Sequence, residues 1–260
     1  MKPVLFTASA LMLAAGPLHA APAPSCPLVD NALIEQVALP HLPAALKPGG
    51  TLNVLAVGSA TMFGPQTDAA ADLAPKHGAP PATPSTTGFP WQMAQALQAA
   101  VKGLHVNVTF IGGHGQPADA MLTKLQAEVQ RHHYQLVIWQ TGTVEAVSEA
   151  APDDFYQTLA DGAAAAAAAG ADLVLVNPQY SRFLEANANV SPYLSALQAA
   201  AALPGVTLFD RYDIMHDWVD DGALDLEHAA VVDRATLATR LHLCLGRALA
   251  GMLRGDAAGS

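Results

Sequence analysis

Ser59 stands in "LNVLAVGSATMFG", an apolar run from Leu52 to Gly64 that breaks at Gly58. A serine presented where a strand ends can attack a carbonyl carbon, provided an imidazole takes its proton. Nearer the C-terminus, Asp225-Leu226-Glu227-His228 sets an acid three residues before an imidazole. A glycine pair, Gly112-Gly113, ends a second apolar run in "IGGHGQPADAML". Each residue also has a plainer role. Gly112 and Gly113 permit a tight strand-to-helix turn, and His228 can be an exposed loop histidine between acids.

Five short apolar runs must carry these residues: "LNVLAVG", "HVNVTFI", "QLVIWQT", "ADLVLVN" and "GVTLFD". They are rich in β-branched residues and nearly continuous, as strands covered on both faces are. Helical stretches separate them, among them "FPWQMAQALQAAVKG", "PADAMLTKLQAEVQRHH", "DDFYQTLADGAAAAAAAG" and "SPYLSALQAAAALPG", with a final helix over about 233–254. Alternating strands and helices imply a parallel sheet between two helical layers, an α/β class. One domain over 52–254 is expected, preceded by an N-terminal segment 21–51 and followed by a tail 255–260. A Pro- and Ala-rich insertion, 65–88, interrupts it after the first strand.

The order of these blocks resembles the SGNH (GDSL-type) hydrolases, in particular an exported bacterial branch. The stretches "VGSATMFG", "GGHGQPADAML", "IWQTGTVEAV" and "VVDRATLATRLHLCLGRALA" carry the resemblance. It implies a three-layer α/β/α sandwich, flavodoxin-like, with a five-stranded parallel sheet. It also implies a serine nucleophile, a histidine three residues after an aspartate, and an oxyanion hole. That hole is lined by the serine N–H, a glycine N–H and an asparagine side chain.

This chain departs from that pattern. The family's first block reads Gly-Asp-Ser-x-x-x-Gly, and Gly58 and Gly64 match its glycines. Ser59 then takes the aspartate slot and Ala60 the nucleophile slot. Gly112 keeps the second block. In the third, Thr143-Val144-Glu145 leaves Val144 in the asparagine slot, with no donor. Aligning "CLGRALA" to the end of the last helix puts Asp233 and Thr236 in the Asp and His slots. On this reading no catalytic residues remain, and Ser59, Gly112, Thr143 and Tyr180 are candidates for holding a ligand. In the alternative, Ser59 is nucleophile, His228 base, Asp225 or Asp233 orienter and Gly112 the oxyanion donor.

Other chemistries find less support. There is no His-Glu-x-x-His or Cys-x-x-Cys, so no metal is expected. His132-His133 reads as a helix end, and Asp213, His216, Asp217, Asp220 and Asp221 as a solvated face. "GGHGQ" lacks the Lys-Ser/Thr of a phosphate loop, and no cofactor is expected. Trp91, Trp139, Trp218, Tyr180 and Tyr212 are the aromatics that could stack on a sugar. Trp139 reads as core, and Tyr180, Arg182 and Trp218 as residues near the pocket rim or as ordinary packing.

Residues 1–20 read as a secretory signal peptide. Lys2 precedes an apolar stretch too short to span a bilayer, and small residues follow. An exported protein, periplasmic or secreted, is expected. The formal charge of −10, or −11 without Lys2, argues against nucleic acid and anionic membrane surfaces. A cell-envelope glycan or acylated molecule is the expected partner, with the oligomeric state open. Cys26 and Cys244 could bridge in an oxidising compartment, or remain separate thiols. A lipid-modified Cys26 is a third reading, although "APSC" lacks the usual Leu.

Overall fold

The computed structural model describes residues 25–30, 39–64 and 87–255. The signal-peptide stretch, the tail beyond Gly255 and most of the 65–88 insertion lie outside these residues.

The apolar runs form β1 (Thr51–Gly58), β2 (His105–Gly112), β3 (Leu136–Gln140), β4 (Asp172–Val176) and β5 (Val206–Phe209). They pair in the order β2-β1-β3-β4-β5, and every pairing is parallel. β3 and β4 are buried at every residue, which is why they read as unbroken apolar runs. β2, at the sheet edge, is mostly half-buried or exposed.

The helices are α1 (Leu42–Ala45), α2 (Phe89–Ala100), α3 (Ala118–Arg131), α4 (Thr143–Ser148), α5 (Pro152–Ala168), α6 (Arg182–Asn187), α7 (Ser191–Ala201), α8 (Arg211–Asp220) and α9 (Val231–Arg254). α2 packs on α9, while α3, α5 and α7 pack side by side in a second group. The two groups cover opposite faces of the sheet. The helix α5 lies so close to the sheet that any side chain at Gly162 would strike the Trp139 ring. Prolines at the first positions of α2, α5 and α7 supply the helical φ where no backbone donor is needed.

From β1 the chain winds to β2 on one side, then crosses to β3 on the other. The winding direction therefore reverses between β1 and β3. In open parallel sheets the crevice for ligands opens at the carboxyl ends of the strands flanking such a reversal. Ser59 and Gln140 occupy those two ends.

The N-terminal segment is tied to the helices. Cys26 and Cys244 form a disulfide, with Cα atoms 5.3 Å apart. Trp218 Nε1 donates to the Leu28 carbonyl at 3.0 Å, and Arg240 donates to the Ser25 carbonyl at 2.9 Å. Trp218 is buried in the core, the ordinary packing that was one of its two expected roles. Asp172, fully buried at the other end of the sheet, accepts from the N–H groups of His41 and Leu42.

Candidate functional site

Ser59 follows β1 directly, and the backbone then tightens into a single 3-10 turn, Ala60–Met62. Its hydroxyl is not free. Gln140 Nε2 donates to Ser59 Oγ at 2.7 Å and to Thr61 Oγ1 at 2.7 Å. The two hydroxyls lie 3.1 Å apart and share a further bond. Gln140 is the last residue of β3 and is buried. Its Oε1 accepts from Arg211 Nη1 at 3.0 Å. A guanidinium only donates, so the carbonyl end of the amide must face Arg211 and the NH2 end must face the hydroxyls.

The glycine of the second block ends β2. Gly112 has φ +128°, and a side chain there would collide with the Gly58 carbonyl, so only glycine fits. The neighbouring Gly113 N–H donates to Gly58 O at 3.1 Å and closes the turn onto β1.

After β3 the chain turns through Gly142, φ +100°, into α4. Thr143 and Val144 are half-buried in its first turn. The buried carboxylate of Glu145 accepts from Gly142 N–H at 3.0 Å and from Ala118 N–H at 2.6 Å. It thereby ties the turn after β3 to the start of α3. Val144 offers no side-chain donor.

The Asp-x-x-His lies on the loop immediately before α9. His228 Nδ1 is 2.6 Å from Asp225 Oδ2, and Asp225 Oδ1 accepts from the His228 and Glu227 N–H groups. Arg182 Nη1 donates to both Asp225 oxygens at 3.1 and 3.2 Å. Partial desolvation would raise the Asp225 carboxyl. The hydrogen bonds from His228 and the charge of Arg182 outweigh it and hold the group down at about 2. The imidazole itself is exposed.

Asp233 and Thr236 do not occupy the place expected of them. The last helix starts at Val231, earlier than the apolar pattern suggests, so both residues sit inside it on an exposed face. The extra residues that Asp225–His228 requires are accommodated by this longer helix. Ser59 and His228 make no hydrogen bond with each other; Ser59 is engaged by Gln140 and Thr61, His228 by Asp225 and Arg182.

Tyr180 likewise takes the packing role rather than the rim. It is buried, its hydroxyl donates to Glu185 at 3.2 Å, and its ring meets those of Tyr212 and His216 edge-on. That packing withdraws it from an open rim. Arg182 alone of the three stays partly exposed, and its charge is taken up by Asp225 and Glu227. Among the described residues no three metal-ligating side chains gather.

Arg211, the first residue of α8, was not among the site candidates. It is 1% exposed, and burial pulls its guanidinium down to about 9, still charged at neutral pH. Its charge centre lies 5.9 Å from the Phe89 ring centroid. His242, on α9, stacks against the same ring. Burying an unpaired ion costs several kcal/mol. A desolvated cation–π contact returns about 2 kcal/mol, and one bond to Gln140 roughly 1.5–3 kcal/mol. The two together come near that cost, and leave two further nitrogens of the group, Nε and Nη2, without acceptors.

Comparison with known proteins places this geometry. Residues 25–259 match the Non-GDSL lipase-like family. The chain belongs to that family. A search of curated proteins finds no match. Among solved structures, a mutant of Axe2, an acetyl-xylooligosaccharide esterase from Geobacillus stearothermophilus, superposes with a TM-score of 0.61 at 15% identity, covering 83% of this chain and 99% of that one. TesA gives 0.53 at 18% identity over 76% and 97%. A lipase/acylhydrolase from Enterococcus faecalis gives 0.52 at 15% identity over 77% and 96%. These likenesses establish a three-layer SGNH-type fold for this member of the Non-GDSL lipase-like family.

Gln140, Arg211 and Glu145 are the residues that sequence reasoning missed. A signal existed for each. Gln140 is the one polar residue of "LVIWQ", and Arg211 is a rare cation directly after the apolar run "VTLF". Glu145 stands three residues after Gly142, the spacing of a capping box.

Proposed function

We propose that this protein is an exported SGNH-fold binder of acetylated or acylated envelope glycans that does not hydrolyse esters through a serine. The observation that carries this reading is the engagement of Ser59. Its oxygen accepts from Gln140 at 2.7 Å, and among the described residues no imidazole is bonded to it to take its proton. A serine nucleophile needs a base within hydrogen-bond reach. Ala60, in the slot that follows, has no nucleophile to offer, and Val144 supplies no oxyanion donor. Loss of one such donor costs about 10²–10³ in rate in another hydrolase.

The Cys26–Cys244 disulfide supports the exported reading, because such bonds persist in oxidising compartments. The acetyl-xylooligosaccharide esterase among the structural neighbours supports an acylated glycan as the ligand class. Purified protein should neither turn over short-chain p-nitrophenyl esters nor label with a fluorophosphonate probe. Turnover that disappears in Ser59→Ala would overturn the proposal.

One observation favours a second reading, an active hydrolase. The Asp225–His228 pair is intact, with 2.6 Å between acid and imidazole, and it sits just before the last helix, the position the family resemblance implies. In that reading Ser59 attacks after release from Gln140, Gly112 N–H receives the oxyanion, and the fluorophosphonate adduct maps to Ser59.

A further inference from the structure

The buried guanidinium of Arg211 presents one unfilled edge. Nη1 is engaged by Gln140 Oε1 at 3.0 Å. The nitrogens left without an acceptor are Nε and Nη2, both fully buried. These are not an arbitrary pair. The Nε–H and one Nη2–H of a guanidinium point the same way, and together they form the fork that receives two oxygens of one carboxylate.

Among the described residues, the surroundings add donors and no negative charge. His242 Nδ1 accepts from the Phe89 N–H at 3.2 Å, so the neutral ring carries its proton on Nε2. The adjacent acid in sequence, Asp210, is occupied by Asn177 Nδ2 at 2.6 Å and by the Asp213 N–H at 3.2 Å. Among the described residues, no carboxylate forms an ion pair with Arg211. The Phe89 ring covers a face of the guanidinium, which leaves its edge unanswered.

We propose that the Nε/Nη2 edge of Arg211 is a binding site for a small free carboxylate of the formate or acetate class. Two buried donors in fork geometry, a fixed positive charge and the absence of a protein acid define the chemistry. Near-complete burial limits the size and excludes a sugar acid. Occupancy neutralises the charge and fixes the guanidinium. Through Gln140 it also fixes the hydroxyls of Ser59 and Thr61, so the site is coupled to the β1–β3 crevice. The proposal does not rest on whether Ser59 is catalytic.

The test replaces sodium chloride with sodium formate, mole for mole, and follows thermal unfolding of the full chain. A saturable rise in Tm is expected with formate and acetate, and none with glucuronate. Arg211→Lys keeps the cation but lacks the fork, and should lose the saturable component. A flat response in the native protein, an equal response to glucuronate, or an undiminished response in Arg211→Lys overturns the assignment. Should Arg211→Lys fail to fold, the native protein decides alone. Its line broadening of ¹³C-formate must be reversed by nitrate, a planar anion with the same two-oxygen edge; absent or nitrate-insensitive broadening rejects the site.

Discussion

His242 shows how one side chain joins two helices and limits the pH range of the fold. Its Nδ1 accepts from Phe89 N–H, one of the orphan donors at the start of α2, where Gly88 offers no side-chain cap. Protonating that nitrogen breaks the bond and sets a second cation near Arg211. Burial first, and the Arg211 charge second, push the imidazole down to about 4. In the unfolded chain it titrates near 6.5. Between those values the unfolded state binds more protons than the folded state, so stability falls as pH falls from about 6.5 to about 4. The shift corresponds to roughly 3 kcal/mol. Urea midpoints across this window should show that slope, and His242→Gln should flatten it. Asp172 titrates in the opposite sense, since burial raises its carboxyl. That contribution is present in both proteins and cancels in their comparison.

At the scale of elements, the apolar code was legible because it is set by burial. β3 and β4 are covered on both faces, so their polar residues stand only at an end, Gln140 closing β3 and Asp172 opening β4. The short helices α4, α6 and α8 were not legible, because their boundaries are set by contacts from elsewhere. Glu145 caps α4 while reaching to Ala118, and Asp210 caps α8 while holding Asn177. α9 starts within two residues of the expected 233. Its first two turns are largely exposed and carry no core periodicity. The contact of α5 with the sheet gives a direct test. Gly162 faces the Trp139 ring with no room for a methyl group, although alanine is the better helix former. Gly162→Ala should therefore destabilise by about 1–3 kcal/mol, the range for overpacked cores, rather than stabilise. Chemical denaturation would show it; a gain in stability would mean that α5 slides freely on the sheet.

At the scale of the whole molecule, the switch in winding between β1 and β3 brings Ser59 beside Gln140, residues 81 positions apart. Spacing within a block revealed Ser59 and Ala60, but this partner across the sheet comes only from strand order. The same holds for Arg211, whose hydrogen-bond acceptor is 71 positions away. The longest covalent tie is Cys26–Cys244, separated by 218 residues. Closing so long a loop restricts the unfolded chain more than a short one, and removal of such a bond typically costs about 2–5 kcal/mol. The bond also anchors the strap formed by residues 25–30, which otherwise holds through the Trp218–Leu28 and Arg240–Ser25 hydrogen bonds. Reduction, or the double change Cys26→Ser and Cys244→Ser, should lower the urea midpoint. The denaturant slope should rise as the unfolded chain expands. The strap is bonded to α8 and α9, so secondary structure should survive below the new midpoint. Loss of the α-helical signal on reduction, without denaturant, would instead mean that α9 depends on the bond to stay docked on α2.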